Sequence, residues 1–239
     1  MRPHWSLTLY PAAGEGGGCL VVQRRNLEPS TYQSDPERAA EEAARRAKTK
    51  MRRYCAANRL NRLGTLTYAG AGCHDPRALR SDVAGFFKLI RGRLDQRALP
   101  YLWVPQWHPG GHGLHVHFAV GRFVKHSVIR EVWGRGHVHI KLLGDLPVGS
   151  GALEEARLAA RYLSRYVGKS LDEDREAGLH RYEVAQGFQP QPVYCYGPTA
   201  EMALANASKV MGRAPSTTWL SSSQEGWSAP PACWAAWSS

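Results

Sequence analysis

Residues 101–120 read YLWVPQWHPGGHGLHVHFAV, and this stretch decides which fold the sequence predicts. Two apolar runs, 101–107 and 114–120, flank the glycine-rich turn PGGHG. Apolar, β-branched and aromatic residues on both sides of such a turn predict a β-hairpin. Pro105 lies inside the first run and suits a sheet edge or a bulge, because proline has no backbone N–H to donate. The stretch therefore predicts two antiparallel strands.

Strand and helix patterns alternate on both sides of this hairpin. RLGTLTYAG (62–70) predicts a strand, and DPRALRSDVAGFFKLIRGRL (75–94) predicts an amphipathic helix with Asp75 as its N-cap. After the hairpin the sequence predicts a short helix, a strand and a long helix, in VKHSVIREVWG (124–134), GHVHIKLLG (136–144) and LEEARLAARYLSRYVGKS (153–170). This order predicts an α+β fold in which a central, mostly antiparallel sheet is flanked by helices.

The ends of the chain have weaker patterns. Residues 1–45 are interpreted as an N-terminal segment and the start of a basic helix, with a glycine-rich run at 14–18 that we expect to be loosely attached. The predicted main domain spans 46–185. Residues 186–239 end in SSSQEGWSAPPACWAAWSS, and this composition predicts a partly disordered C-terminal extension.

Composition narrows the class of protein. The 239 residues are 43% hydrophobic, which excludes a wholly disordered chain, and the net charge of +11 favours a polyanionic partner such as nucleic acid. No run of 18 apolar residues is present, so we expect no membrane-spanning helix. The five cysteines include no C-x-x-C pair and the N-terminus has no secretory apolar core. We therefore expect a cytoplasmic protein with reduced thiols.

A His-x-His pattern lies on the second strand of the hairpin. His115 and His117 are two residues apart and project from the same face of a strand, so both imidazoles can converge on one divalent metal. The alternative is that they are two surface histidines. Gln106 and His108 on the first strand, and His112 in the turn, are candidates for a third ligand.

The same H-V-H pattern recurs at His137 and His139. No third ligand is evident beside this second pair. We therefore favour the first pair for the metal and interpret the second as a pair on the sheet face or on the substrate side.

The long helix carries Tyr162, Tyr166 and Lys169 on one face, at positions i, i+4 and i+7. Aromatic residues at this spacing usually pack at the rim of a core. Here Arg161 and Arg165 flank the tyrosines, and cations of this kind suit a phosphate. The motif alone is balanced between packing and catalysis.

The three motifs together resemble those of the HUH endonucleases, and within them the rolling-circle replication initiator (Rep) family of plasmids and small phages. Thr65-Leu66-Thr67 resembles the family's T-L-T strand motif, and His115-Val116-His117 its metal motif. Residues 162–169 resemble Y-x-x-K-Y-x-x-K, with Arg165 in place of the first lysine. The tyrosines follow the histidines, as in Rep proteins and HUH transposases and unlike conjugative relaxases.

The resemblance implies a nuclease that nicks and rejoins single-stranded DNA at an origin through a 5′-phosphotyrosine. In that reaction Tyr166 would be the first choice of nucleophile and Tyr162 the second. Lys169 would bind the scissile phosphate or hold the tyrosine, and Arg161 and Arg165 would contact DNA. The basic helix adds two further candidates for DNA contacts, Arg52 and Arg53, although this run is equally compatible with a solvated helix face.

The implied cofactor is Mg²⁺ or Mn²⁺, held by His115 and His117 with Gln106 as third ligand. The family typically supplies a carboxylate at this place, so the glutamine is a departure. We place Gln106 ahead of His108, with His112 as a further alternative.

The implied partners are a hairpin in an origin of single-stranded DNA, and a host helicase and polymerase, because the sequence contains no P-loop motif. We expect no membrane partner. Three alternatives remain open at this point: an HUH-type transposase, a nucleic-acid-binding module without catalysis, and a histidine-rich metalloenzyme that acts on small molecules.

Overall fold

The computed structural model describes residues 3–22, 36–95, 97–141, 151–169 and 181–238. Their elements, in chain order, are β1 (His4–Tyr10), β2 (Glu15–Val21), α1 (Pro36–Ala57), β3 (Arg62–Leu66), α2 (Pro76–Arg93), β4 (Tyr101–Trp107), β5 (Leu114–Val120), α3 (His126–Trp133), β6 (Val138–Lys141), α4 (Ala152–Lys169), β7 (Glu183–Val184), β8 (Val193–Gly197), α5 (Ala200–Met211), β9 (Thr217–Leu220) and β10 (Ala232–Ala236). The described residues thus form an α+β protein with five α-helices and two five-stranded antiparallel sheets, as predicted for the fold class. The chain divides into two compact units, 37–188 and a second one made from both ends.

The sheet of unit 37–188 has the strand order β6-β3-β5-β4-β7, and all its ladders are antiparallel. The predicted hairpin is confirmed as β4 and β5, which pair from Tyr101↔Val120 to Trp107↔Leu114. Pro105 lies beyond the pairing of β4 with β7, which is at Leu102 and Trp103. The proline therefore leaves no ladder hydrogen bond unmade on that side.

Helices cover both faces of this sheet. α2 and α3 pack on one face against the side chains that alternate along β5 as Val116, Phe118 and Val120. α1 and α4 pack on the other, where Leu63, Val104 and Ala119 contribute to the core. Every residue of β5 is buried as a result. The predicted apolar stripe of the long helix is confirmed in this second layer, as Ala160, Leu163 and Val167.

Local signals in the sequence account for two element boundaries near the site. Asp75 caps α2, and its side chain accepts a hydrogen bond from the backbone N–H of Arg77, as predicted. The turn between β4 and β5 needs glycine at position 113, where φ is +80° and a Cβ would meet the backbone of Cys73. The backbone N–H of His108 donates to the Gly113 carbonyl and closes the turn.

The second unit consists of 1–36 and 189–239. Its sheet has the order β8-β1-β2-β10-β9, and α5 packs against Leu7, Leu9 and neighbouring side chains of one face. The prediction of a loosely attached glycine-rich run was wrong, because residues 15–21 form β2 and pair with β1 along its length. Glycine is required at position 18, where a Cβ would lie 2.6 Å from the Cα of Leu7.

The prediction of a partly disordered extension at 186–239 was also wrong for the described residues. They form β8, α5, β9 and β10, and Cys195, Ala203 and Trp237 are buried. The strands of this extension complete a sheet begun by β1 and β2 about 180 residues earlier. Pairing over such a distance leaves no signature in a local window of sequence, which is why the composition was misleading.

All five cysteines are free thiols, as expected. Among the described residues, no helix combines the length and the apolar character needed to cross a membrane.

Candidate active site

The candidate site lies on the sheet face of unit 37–188 that α1 and α4 cover. The alternation of β5 directs His115 and His117 to this face, where they are only 8% and 6% exposed. Register places Gln106 of β4 opposite His115 and Thr65 of β3 opposite His117. The three strands therefore bring side chains from three separate stretches of sequence to one place.

These side chains form a close set of nitrogen and oxygen atoms. Nε2 of His115 lies 3.1 Å from Nε2 of His117, and Oε1 of Gln106 lies 2.8 Å from the same His117 nitrogen. On the far side of the ring, Nδ1 of His117 is 3.0 Å from the hydroxyl of Thr65. That contact orients the imidazole so that Nε2 faces the other donors, which is how outer residues commonly fix a metal-binding histidine.

This donor set fits a divalent metal ion. Two imidazole nitrogens face each other with an amide oxygen beside them, and burial together with the neighbouring His108 lowers the pKa of His115 to about 4. Burial and the proximity of His115 lower the pKa of His117 to about 3. Both rings are therefore neutral near pH 7, which is the form that binds metals.

The set is uncharged because its oxygen comes from an amide. Among the described residues, no group of three His, Cys, Asp or Glu side chains is arranged to hold a metal ion. Nδ1 of His115 is buried and has no hydrogen-bond partner within the same part of the chain. A positive ion bound here would keep its full charge for a ligand outside the protein.

The two other candidates for the third ligand lie further from His117. The ring of His108 is 5.7 Å from that of His115, and its Nδ1 accepts a hydrogen bond from the backbone N–H of Gly110. His112 lies 6.3 Å from His108, and its Nε2 is 3.3 Å from the carbonyl of Tyr68. The structure thus places Gln106 closest to the histidine pair of the three candidates.

α4 brings both tyrosines to the histidines. The ring of Tyr166 stacks on that of His117 with 3.9 Å between centroids and an angle of 11°. The ring of Tyr162 lies 6.3 Å from that of His117 and is nearly perpendicular to it. The Tyr166 hydroxyl donates a hydrogen bond of 2.7 Å to the Tyr162 hydroxyl. Burial and this hydrogen bond raise the pKa of Tyr166 above its usual value.

The edge strand β6 contributes a lysine that the sequence interpretation did not include. Nζ of Lys141 lies over the ring of Tyr162, 4.7 Å from its centroid. The second H-V-H pair is divided: His139 is exposed and pairs with Thr65, while His137 precedes β6. Lys141 and the Thr65 contact could have been found only through the pairing of β6, β3 and β5.

The expected DNA-contacting arginines have different settings. Arg161 and Arg165 are exposed on α4 beside the tyrosines, whereas Arg52 and Arg53 are partly buried on α1. The side chain of Lys169 lies outside the described part of the structure. Unit 37–188 holds 26 of the 31 Lys and Arg residues and 15 of the 20 Asp and Glu residues. The net charge of +11 therefore belongs wholly to the unit with the histidines and tyrosines.

Comparison with known proteins points to replication. Residues 61–171 match a family model of replication-associated proteins, those of the ORF2 and phage gene-II-protein type. The match begins one residue before β3 and ends two residues after α4, so it includes the T-L-T, H-V-H and tyrosine motifs. No curated protein and no solved structure matches the chain. The similarity supports a replication-associated protein that acts on origin DNA and belongs with nicking enzymes.

Proposed function

We propose that the protein is a rolling-circle replication initiator of the HUH endonuclease type, which nicks and rejoins single-stranded DNA at an origin through a 5′-phosphotyrosine. One observation carries this proposal: a tyrosine ring stacks on a histidine whose Nε2 belongs to a buried N, N, O donor set. A nucleophile and a metal-binding set are thereby placed side by side, as phosphoryl transfer requires.

The residues of the chain have distinct tasks in this reaction. A tyrosine hydroxyl loses its proton to solvent and attacks the phosphorus. One P–O bond forms to the tyrosine and the bond to the 3′ oxygen breaks, and this oxygen takes up a proton as the free 3′-hydroxyl. Each ester is exchanged for another, so no nucleotide hydrolysis is needed.

Three donor side chains, His115, His117 and Gln106, would hold the divalent cation, Mg²⁺ or Mn²⁺. Such an ion supplies Lewis acidity and stabilises negative charge at the phosphoryl oxygens. Thr65 keeps the His117 ring oriented for this binding through its contact with Nδ1. The uncharged donor set favours an anionic phosphate as the remaining ligand.

The DNA is held mainly by charge. Arg161 and Arg165 are exposed on the helix that carries the tyrosines, so a strand that reaches the tyrosines also meets these two guanidinium groups. Lys169, Arg52 and Arg53 remain candidates for further phosphate contacts. The partner is a single-stranded origin presented as a hairpin, with unwinding and extension left to a host helicase and polymerase.

The proposal is tested with a pool of single-stranded oligonucleotides that share primer sites around a randomised core. The full-length protein is incubated with the pool and Mn²⁺, and strands that remain bound after denaturation are amplified and sequenced. We expect recovery of a common hairpin and nick sequence with the wild-type protein. The double variant Tyr162→Phe/Tyr166→Phe and the variant His117→Ala should form no adduct.

Two outcomes would contradict the proposal. Reversible binding of the pool without any denaturation-resistant adduct would indicate a nucleic-acid-binding module without catalysis. An adduct that persists in the double tyrosine variant would remove the tyrosines from the chemistry. Lys88→Met serves as a matched control, because Lys88 is exposed on α2, whose buried residues pack on the other face of the sheet.

A further inference from the structure

We propose that the two tyrosines have fixed and different roles: Tyr162, with Lys141 over its ring, makes the first attack, and Tyr166 first assists and then attacks in the second round. This inference rests on the proposed function, since it assigns the order in which that site acts. It reverses the order expected from the motif alone, where Tyr166 is the first choice.

The first step of the argument is the direction of the hydrogen bond between the tyrosines. Tyr166 donates to Tyr162 over 2.7 Å. The donor keeps its proton as long as the bond is made, whereas the acceptor oxygen receives a positive hydrogen. Negative charge that develops on the Tyr162 oxygen is therefore stabilised, and the same charge on the Tyr166 oxygen is opposed. The raised pKa of Tyr166 is consistent with this asymmetry.

The second step concerns the stacking on His117. Parallel contact at 3.9 Å holds the Tyr166 ring against an imidazole of the donor set. Tyr162 meets the same imidazole edge-on at 6.3 Å, and its ring centroid is 5.4 Å from that of Tyr166. Tyr166 is thus fixed as a platform, while Tyr162 is the partner that its hydroxyl serves.

The third step is the position of the cation. Nζ of Lys141 lies 4.7 Å from the centre of the Tyr162 ring, and Lys141 is exposed at the end of the edge strand β6. A cation over an aromatic ring is attracted to its negative face, and the attraction grows when the phenol becomes a phenolate. An ammonium group at this place can also contact the phosphate that Tyr162 attacks. Lys141 therefore acts as a positioning residue that favours Tyr162.

The bonds balance in both rounds. In the first, the Tyr162 oxygen forms a bond to phosphorus, the bond to the 3′ oxygen breaks, and one proton passes to solvent as another is taken up by the 3′ oxygen. Once esterified, Tyr162 no longer needs the hydrogen bond, and the Tyr166 hydroxyl is released. In the second round Tyr166 attacks the regenerated junction, and the newly freed 3′-hydroxyl displaces Tyr162 from its phosphate.

The order is tested by identifying the tyrosine that carries DNA after a single turnover. Wild-type protein in excess is incubated with the selected hairpin strand and Mn²⁺, and the adduct is digested with nuclease and trypsin. Cleavage after Arg161, Arg165 and Lys169 separates the tyrosines into the peptides 162–165 and 166–169. We expect the nucleotide remnant on 162–165. A remnant on 166–169, or on both peptides equally, would overturn the inference and leave the proposed function standing.

Variants add a readout that a purely structural role would not change. Tyr162→Phe should lose the first-turnover adduct, whereas Tyr166→Phe should keep it with a rate reduced by about tenfold at most. Lys141→Met should slow adduct formation by about two- to thirtyfold and move part of the remnant to 166–169, and Lys141→Arg should restore both.

The controls separate the two levels of the argument. Lys88→Met removes an exposed lysine on the opposite side of the sheet and should change neither rate nor adduct position. If Lys141→Met behaves like Lys88→Met, Lys141 has no part in selecting the tyrosine. If wild-type protein forms no adduct at all, the proposed function itself fails, and this result is distinct from an adduct on the wrong tyrosine.

Discussion

Replacing Gln106 by glutamate should strengthen metal binding, because it adds a negative charge to a donor set that has none. The amide oxygen lies 2.8 Å from Nε2 of His117, so a carboxylate of nearly the same shape can occupy its place. Both histidines are neutral near pH 7, since burial is the main cause that lowers the pKa of His115 to about 4 and that of His117 to about 3.

The magnitude follows from the charge and its burial. Two unit charges about 4 Å apart interact by about 4 kcal/mol at an effective dielectric constant of about 20. Desolvation of the new carboxylate beside two buried rings offsets the larger part of the attraction to a divalent ion. A net gain of about 1.5–3 kcal/mol remains, which corresponds to about ten- to a hundredfold tighter binding.

The assay is calorimetric titration of Mn²⁺ into the full-length protein without DNA, near pH 7. Gln106→Ala should bind more weakly than wild type, since one oxygen donor is lost. Gln186→Glu is the matched control, because Gln186 is exposed and the same change in net charge occurs away from the histidines. If Gln106→Glu binds no better than Gln186→Glu, position 106 is not part of the metal site.

Three further results are expected. Gly64→Ala should destabilise the protein by about 1–3 kcal/mol in thermal unfolding, because a Cβ there would collide with the buried ring of Phe118; unchanged stability would show that the ring can move. The free energy of unfolding should fall as pH decreases from about 6.5 towards 4, by at most about 1.4 kcal/mol per pH unit for each of His115 and His117, because their lowered pKa values make the unfolded chain bind more protons. Urea titrations should show a shallower dependence in His117→Asn, and an identical one would contradict the burial argument. Arg165→Gln should reduce the slope of log affinity for single-stranded DNA against log salt by about 0.7, as measured by fluorescence anisotropy, and an unaltered slope would exclude a phosphate contact.

Much of unit 37–188 could be predicted from the sequence because its signals are local. The Asp75 cap, the β4–β5 hairpin and the helix of the two tyrosines each depend on residues within a few positions of one another. The alternation of a strand places two histidines on one face, and helical periodicity places Tyr162 and Tyr166 on another. These elements and the candidate residues of the site were therefore readable before any coordinates.

The second unit could not be predicted in the same way. Its glycine-rich strand β2 has few side chains to form a pattern, and it is stabilised by ladders to β1 and to β10, more than 200 residues away. Composition favoured a loose segment and a disordered tail. Backbone hydrogen bonds between distant strands decided otherwise, and composition carries no record of them.

The sequence by itself determined the kinds of chemical group and their order: histidines on a strand, then tyrosines on a basic helix. Only the tertiary structure decided how these groups meet, with the Thr65 hydroxyl behind His117, the Tyr166 hydroxyl directed at Tyr162, and Lys141 over the Tyr162 ring. The reason is physical. Periodicity fixes the direction of a side chain relative to its own backbone, whereas contact between side chains depends on the register and packing of elements that are far apart in the chain.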